Sequence, residues 1–454
     1  MARGHRGGGA RVLTLLDSIA AQRPDCAPAR FGQLAACDGG LLEVTGLSVP
    51  IGALARIEHR PGQTLGAEVI GFRGDKTLMM LLGDSVLLRP GAILRTEPGP
   101  GLLPVGEAFL GRAVDAMARP LDGGGPVRAT RQWPAGGERT GPLERAPVRE
   151  AFDCGVRAIN ALTTPGVGQR MGIVAGSGVG KSVLLDMIAS HARAEVVVVG
   201  LIGERAREVS DFVERHLQGP HGARMAVVAV PADHAPNLRL RGALLATSLA
   251  EHFRSQGKRV LLIMDSLTRV AHAAREIALL LGEPAAARGY PPSALATLTR
   301  LIERAGNSAT SGGAITGIYT VLADGDDHDD PVVDTARAIL DGHIVLSRAL
   351  AQRGQYPAID VAASLSRTMS AIVSPGHLAA AREFRILSTT YEANRDLVLM
   401  GAYREGTDPT LDRANRLHGA MTAFLGQAVE APVTLADSVA QLAGVLRPSS
   451  GNDG

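Results

Sequence analysis

The stretch Ile173-Val174-Ala175-Gly176-Ser177-Gly178-Val179-Gly180-Lys181-Ser182 decides the fold. An apolar β-branched pair runs into a glycine-rich turn, and Lys-Ser then opens a helical segment. Glycines at 176, 178 and 180 let main-chain N–H groups turn inward around an anion, and the helix presents its positive N-terminus to the same anion. This is a phosphate-binding loop. Lys181 is placed to reach the β- and γ-phosphates of a nucleoside triphosphate, and the Ser182 hydroxyl to ligate Mg2+. The eight-residue form begins with Ala175 where the generic motif has Gly, and a small residue there keeps the turn.

Downstream, apolar runs alternate with longer helical segments. They are Val196–Ile202, Met225–Val230, Val260–Met264, Ala314–Leu322 and His343–Leu346. Continuous apolar strands between helices imply an α/β core with a mainly parallel sheet covered on both faces. The run Arg259–Asp265 ends in an acid, the position from which Asp265 would hold Mg2+ through water beside the phosphate loop. Val196–Ile202 runs into Gly203-Glu204-Arg205. A Glu at the end of a neighbouring strand is a candidate to orient and polarise an attacking water. On the residues alone it is one candidate among many surface acids.

Upstream, from Leu41 to Thr96, short alternating runs recur between turn residues such as 71–75 and Arg89-Pro90-Gly91, the pattern of a small β-barrel. The Gly/Pro-rich stretch Glu97–Pro104 reads as a linker. After Ser374-Pro375-Gly376 the chain reads helical, with His377–Met400 and Pro409–Leu425 as the main helices. The expected organisation is an N-terminal docking segment over residues 1–28, a β-barrel over 29–98, a P-loop core over 99–373 and a helical domain over 374–454. In the first segment Val12, Leu15, Leu16 and Ile19 fall at helical spacing. Such a helix either packs on its own domain or docks on a partner or a membrane surface.

Composition narrows the class. Of 454 residues, 47 are Lys or Arg and 45 are Asp or Glu, so a net charge of +2 makes no global case for nucleic acid or lipid. No run approaches the ~20 apolar residues of a membrane helix. Asp17 interrupts the short apolar stretch behind Arg3, Arg6 and Arg11, which is too brief for a signal peptide. Cys26, Cys37 and Cys154 are scattered, which fits a reducing cytosol better than a disulfide framework or a zinc site. The acidic loop Asp324–Asp330 matches no calcium-loop spacing and reads as solvated.

Several further motifs, in order along the chain, resemble the rotary ATP synthase head-subunit family. They are Gly111-Arg112 with Arg119-Pro120-Leu121-Asp122-Gly123, Gly203-Glu204-Arg205-Ala206-Arg207-Glu208, Gly289-Tyr290-Pro291-Pro292-Ser293 and Pro357-Ala358-Ile359-Asp360 through Ser364-Leu365-Ser366. Within that family, Gly155–Leu162, Ala175–Ser182 and Gly401–Pro409 look like the flagellar protein-export branch. The sibling virulence-type secretion branch usually carries Ala/Gly-rich residues where Ser177 and Val179 stand. Ala206 departs from the Gly usual in both export branches.

The resemblance implies a RecA-like P-loop core and ATP hydrolysis coupled to protein export through a type III apparatus. It implies ATP and Mg2+ as ligands. It implies Lys181, Glu204 and Arg367 as catalytic groups, with Glu204 positioning the water and Arg367 acting as an arginine finger in the neighbouring subunit's site. Gly176, Ser177, Gly178, Val179, Gly180, Lys181 and Ser182 would bind the nucleotide. Arg205 and Arg269 would sit near the terminal phosphate, Tyr356 would stack on adenine, and Ser182 and Asp265 would hold the metal. One chain carrying Lys181, Glu204, Asp265 and Arg367 suits a homohexamer with ATP between neighbours. Implied partners are the export regulator or stator, a stalk protein, the export gate and chaperone–substrate complexes. The location expected is the cytoplasm, peripheral at the inner face of the membrane. A ring RNA helicase also joins a small barrel to a P-loop core, but the first half is poor in stacking aromatics and mixed in charge.

Overall fold

The computed structural model describes residues 29–60, 62–83, 88–97, 101–138, 141–323 and 330–447. The N-terminal segment with Cys26, most of the acidic loop (324–329) and the tail from 448 lie outside the described residues. The chain divides into two compact units, Met1–Gly101 and Leu102–Gly454.

The first unit is a closed six-stranded barrel in the order β1-β2-β5-β4-β3-β6. Its strands are β1 (Phe31–Asp38), β2 (Leu41–Thr45), β3 (Leu54–Arg60), β4 (Gln63–Arg73), β5 (Lys76–Leu81) and β6 (Ile93–Thr96). Alternation carries it: Ala55 and Ile57 of β3 are buried while Arg56 and Glu58 face out. Leu34, Leu42, Val44, Val69, Met79 and Leu94 fill the interior. Pairing of β1 with β6 closes the ring and leaves neither strand as an open edge. The turn expected over 71–75 is shorter. β4 continues through Arg73, which pairs with Lys76, so only Gly74-Asp75 turns, and Gly74 takes φ +61.

In the second unit β7 (Leu102–Val105) pairs with β9 (Arg131–Pro134), so the end of the expected linker is a strand. Its cause is tertiary. Leu103 and Trp133 are buried, and the Trp133 indole N–H donates to Glu251 Oε2 at 2.9 Å, on helix Pro236–Ser255. The remaining strands are β8 (Arg112–Val114), β10 (Arg145–Ala146), β11 (Arg170–Ala175), β12 (Val196–Ile202), β13 (Met225–Val230), β14 (Arg259–Asp265), β15 (Gly306–Ser308), β16 (Ala314–Leu322), β17 (Gly342–Leu346) and β18 (Ile359–Ser366). The main sheet runs β18-β17-β11-β16-β14-β12-β13-β8. From β17 to β8 every pair is parallel, and β18 joins antiparallel to β17. Every residue of β12 and β13 is buried, as strands covered on both faces require.

The C-terminal part is three helices, Pro375–Leu399, Pro409–Leu425 and Leu435–Leu446. The first begins two residues before the expected His377, because Ser374 caps it and Pro375 takes the first helical position. Phe384, Leu387, Tyr391, Met421, Phe424 and Leu442 form one continuous core with the sheet side. Arg157, opening helix Arg157–Leu162, anchors the junction through Nε to the Phe424 carbonyl at 2.7 Å. Among the described residues no helix is long and apolar enough to cross a membrane.

Candidate active site

The site forms at the C-terminal ends of the parallel strands. β11 stops at Ala175, residues 176–180 turn, and helix Lys181–His191 begins. Gly178 and Gly180 take φ +77 and +92, a left-handed region that a side chain would strain. Val179 is buried and pins the turn to the core. The N-cap, Gly180, supplies no side-chain hydrogen bond, so the first-turn amides stay open to an anion.

β16 lies between β11 and β14, and so sets the spacing between the loop and Asp265. The Lys181 ammonium pairs with Asp265 Oδ1 and reaches Glu204 Oε1 at 3.3 Å. Thr320 of β16 donates its hydroxyl to Asp265 Oδ1 at 2.5 Å. Burial pushes the Asp265 carboxyl above its ordinary range, against the pull of Lys181. Glu204 is raised in the same way, chiefly by burial, with Lys181 opposing and a hydrogen bond with Glu208 adding to the rise. One ammonium is therefore shared by a buried carboxyl group, Asp265, and a half-buried one, Glu204.

Glu204 is held by its backbone. Gly203 takes φ +74 and donates to the Val230 carbonyl, and the Glu204 carbonyl accepts from Ala232 N–H at 3.2 Å. A Cβ on Gly203 would stand 2.7 Å from Arg269 Cβ, so the glycine admits the arginine stem. Arg269 lies in the first turn of helix Leu267–Leu280, and its buried Nε has no partner. Arg205 sits on the rim with its side chain 86% exposed, and Ala206 begins helix Ala206–Leu217. These groups line an open cleft of about 660 Å³ with the phosphate loop. Oxygen donors at Ser182 and Asp265 suit a hard divalent cation that takes its other ligands from phosphate and water.

β18 distributes two predicted residues to opposite ends of the sheet. Tyr356 precedes it, and a Cβ on Gly180 would lie 3.4 Å from the Tyr356 ring. Arg367 follows it, its N–H bonded to the Asp341 carbonyl and its Nη2 to the Arg337 carbonyl at 3.1 Å. Asp341 also binds Arg170, the first residue of β11. Arg367 is thus level with the start of β11, five residue rises, or about 16 Å, from the phosphate loop. The structure brings together Gly176–Ser182, Glu204, Arg205, Asp265, Arg269 and Tyr356, and leaves Arg367 apart from them.

Three contributions escaped sequence reasoning. Thr320 shares its strand with another hydroxyl, Thr316, so no local signal singles it out. Glu208 stands inside a quoted motif. The contacts of Asp186 with Arg215 and His216 carry no local signature.

Residues 155–366 match the family model of the ATP synthase alpha/beta family, nucleotide-binding domain, and residues 373–444 match the T3SS EscN ATPase C-terminal domain. The chain is 52% identical over 435 residues to a flagellum-specific ATP synthase of Salmonella typhimurium, covering 92% of this chain and 94% of that one. It is 48% identical to the Pseudomonas aeruginosa counterpart, again covering 92% and 94%. Among solved structures, the assembled ATPase EscN of the enteropathogenic E. coli type III secretion system superposes with a TM-score of 0.86 at 38% identity, covering 92% of this chain and all of that one. EscN in complex with its central stalk EscO gives 0.84 at 37%, with the same coverage.

Proposed function

Because this chain belongs to the ATP synthase alpha/beta family, in the company of flagellum-specific ATP synthases, we propose that it hydrolyses ATP to drive flagellar protein export through a type III apparatus. The phosphate-loop amides and Lys181 hold the β- and γ-phosphates, Tyr356 packs on adenine, and Arg269 and Arg205 meet the terminal phosphate. Glu204 accepts a hydrogen bond from the attacking water and then takes its proton. Burial makes it a stronger base than an exposed carboxylate, and Lys181 keeps it charged. Ser182 and Asp265 would hold Mg2+, which supplies charge neutralisation at the phosphates.

One observation carries the assembly. Arg367 and the phosphate loop sit at opposite ends of the same strands, so the finger cannot serve its own chain's nucleotide. A ring of identical subunits puts each Arg367 into the next site, and EscN, the structural relative, is an assembled ATPase. The flagellar assignment follows the relatives at 52% and 48% identity, against 38% for the virulence-type structure. The helical hairpin around residues 397–408 exposes Leu399 (65%) and Met400 (72%), an apolar tip suited to a stalk protein. The stator or regulator, export gate and chaperone–substrate complexes complete the partners, at the inner face of the cytoplasmic membrane.

The test mixes two inactive variants, Lys181→Ala and Arg367→Ala. If fingers act across interfaces, mixed rings contain sites with an intact lysine and an intact neighbouring arginine, and hydrolysis reappears. Absence of activity at every mixing ratio, with rings present by mass photometry, refutes the shared site.

A further inference from the structure

Glu204 stands two residues before helix Ala206–Leu217, so its aim depends on where that helix lies. Its Val209 and Phe212 join the sheet core, but a pocket separates part of that side from the phosphate-loop helix. This solvent-open pocket of about 150 Å³ is lined by Leu185, Val199, Phe212 and Ile263, with Ser182, Glu204 and Asp265 also on its wall. Side chains that face this pocket lack packing partners on that side, so they fix the helix spacing only weakly.

A polar strut stands at the same pocket. Asp186, one turn after Ser182 on helix Lys181–His191, is 8% exposed. One of its oxygens pairs with Arg215 Nη1, and the other meets His216 Nε2 at 2.9 Å. His216 is 6% exposed and packed on Phe212, with ring centroids 4.2 Å apart. Both partners lie in the last turn of the helix whose first turn follows Glu204. A carboxylate held by two donors from one short segment has little freedom to rotate or slide.

We propose that Asp186 is a positioning residue for hydrolysis: through Arg215 and His216 it fixes helix Ala206–Leu217 at a set distance from the phosphate-loop helix, and thereby aims Glu204 at the attacking water. The inference rests on the ATPase reading above. It separates two tasks of one helix pair. The phosphate grip belongs to Lys181 and the loop amides, whereas the water's alignment depends on the strut. Misplacement of a reacting group by about 1 Å costs on the order of 100-fold in rate.

The experiment compares wild type, Asp186→Asn and Arg215→Met by steady-state hydrolysis and by binding of a fluorescent ATP analogue. Arg215 is 58% exposed at its side chain, so its substitution leaves the core intact should Asp186→Asn unfold. The expected result is a kcat reduced roughly tenfold in both, with KM and analogue affinity within about twofold of wild type. The double variant should be no worse than the worse single, since each removes the same strut. Folded variants with wild-type kcat overturn the proposal, as does a loss of analogue binding in step with kcat, which marks general disruption. If wild type itself fails to hydrolyse ATP, the ATPase reading falls. If wild type is active and both folded variants match it, only the strut falls.

Discussion

Acidification should weaken the second unit through His216 in a way one substitution can isolate. Burial, with Arg215 nearby, pushes His216 down from 6.5 to about 4. The folded imidazole is therefore neutral and donates from Nε2 to Asp186. Below 6.5 the unfolded chain takes up a proton that the folded chain still excludes. The stability tied to a neutral His216 is thus present in full above 6.5 and is lost as pH falls toward about 4. With those two values the loss at about pH 5 is ~2 kcal/mol, from 1.36 kcal/mol per pKa unit. His216→Gln keeps an N–H donor and removes the titration. Equilibrium urea unfolding at about pH 7.5 and pH 5 should show wild type losing ~2 kcal/mol more than the variant. His252, His272, His343 and His418 are also lowered by burial, and Glu204 and Asp265 raised, but both proteins carry them and the difference cancels them. Equal losses in the two proteins would refute the reasoning.

Four further outcomes are expected. Glu251→Ala strands the buried Arg304 guanidinium and the Trp133 indole N–H, and should cost about 3–5 kcal/mol in urea unfolding. Glu195→Ala breaks the half-exposed pair with Lys258 and the hydrogen bond its carboxylate accepts from the Arg259 N–H, and should cost about 1–2 kcal/mol. The Cys154 thiol, pushed up to about 12 by burial, should resist iodoacetamide in the native protein and react in urea, while exposed Cys37 reacts in both, as read by peptide mass spectrometry. Leu399→Ser with Met400→Ser should leave basal hydrolysis unchanged and lower export in cells. Normal export would remove the hairpin tip from stalk contact.

The barrel and the phosphate loop were legible because their determinants are local. Alternation at period two marks β3, and glycines at 178 and 180 permit backbone angles that other residues resist. Boundaries shifted where a distant group intervened. The strand Leu102–Val105 emerged from an expected linker because Trp133 and helix Pro236–Ser255 receive it. The helix at 375 started early for a local reason instead, since the adjacent Ser374 caps it.

By itself the amino-acid order determined a nucleotide-binding α/β core, a preceding barrel and a helical end, since glycine placement, hydrophobic period and strand-terminal acids act over a few residues. Only the tertiary structure decided that Lys181 is shared between Asp265, 84 positions away, and Glu204, 23 away. It alone set Asp186 against Arg215 and His216, and placed Arg367 at the far end of the sheet from the loop. Those facts follow from strand order and from the antiparallel entry of β18. Both are fixed by packing among segments far apart in the chain, and no window of neighbouring residues encodes them.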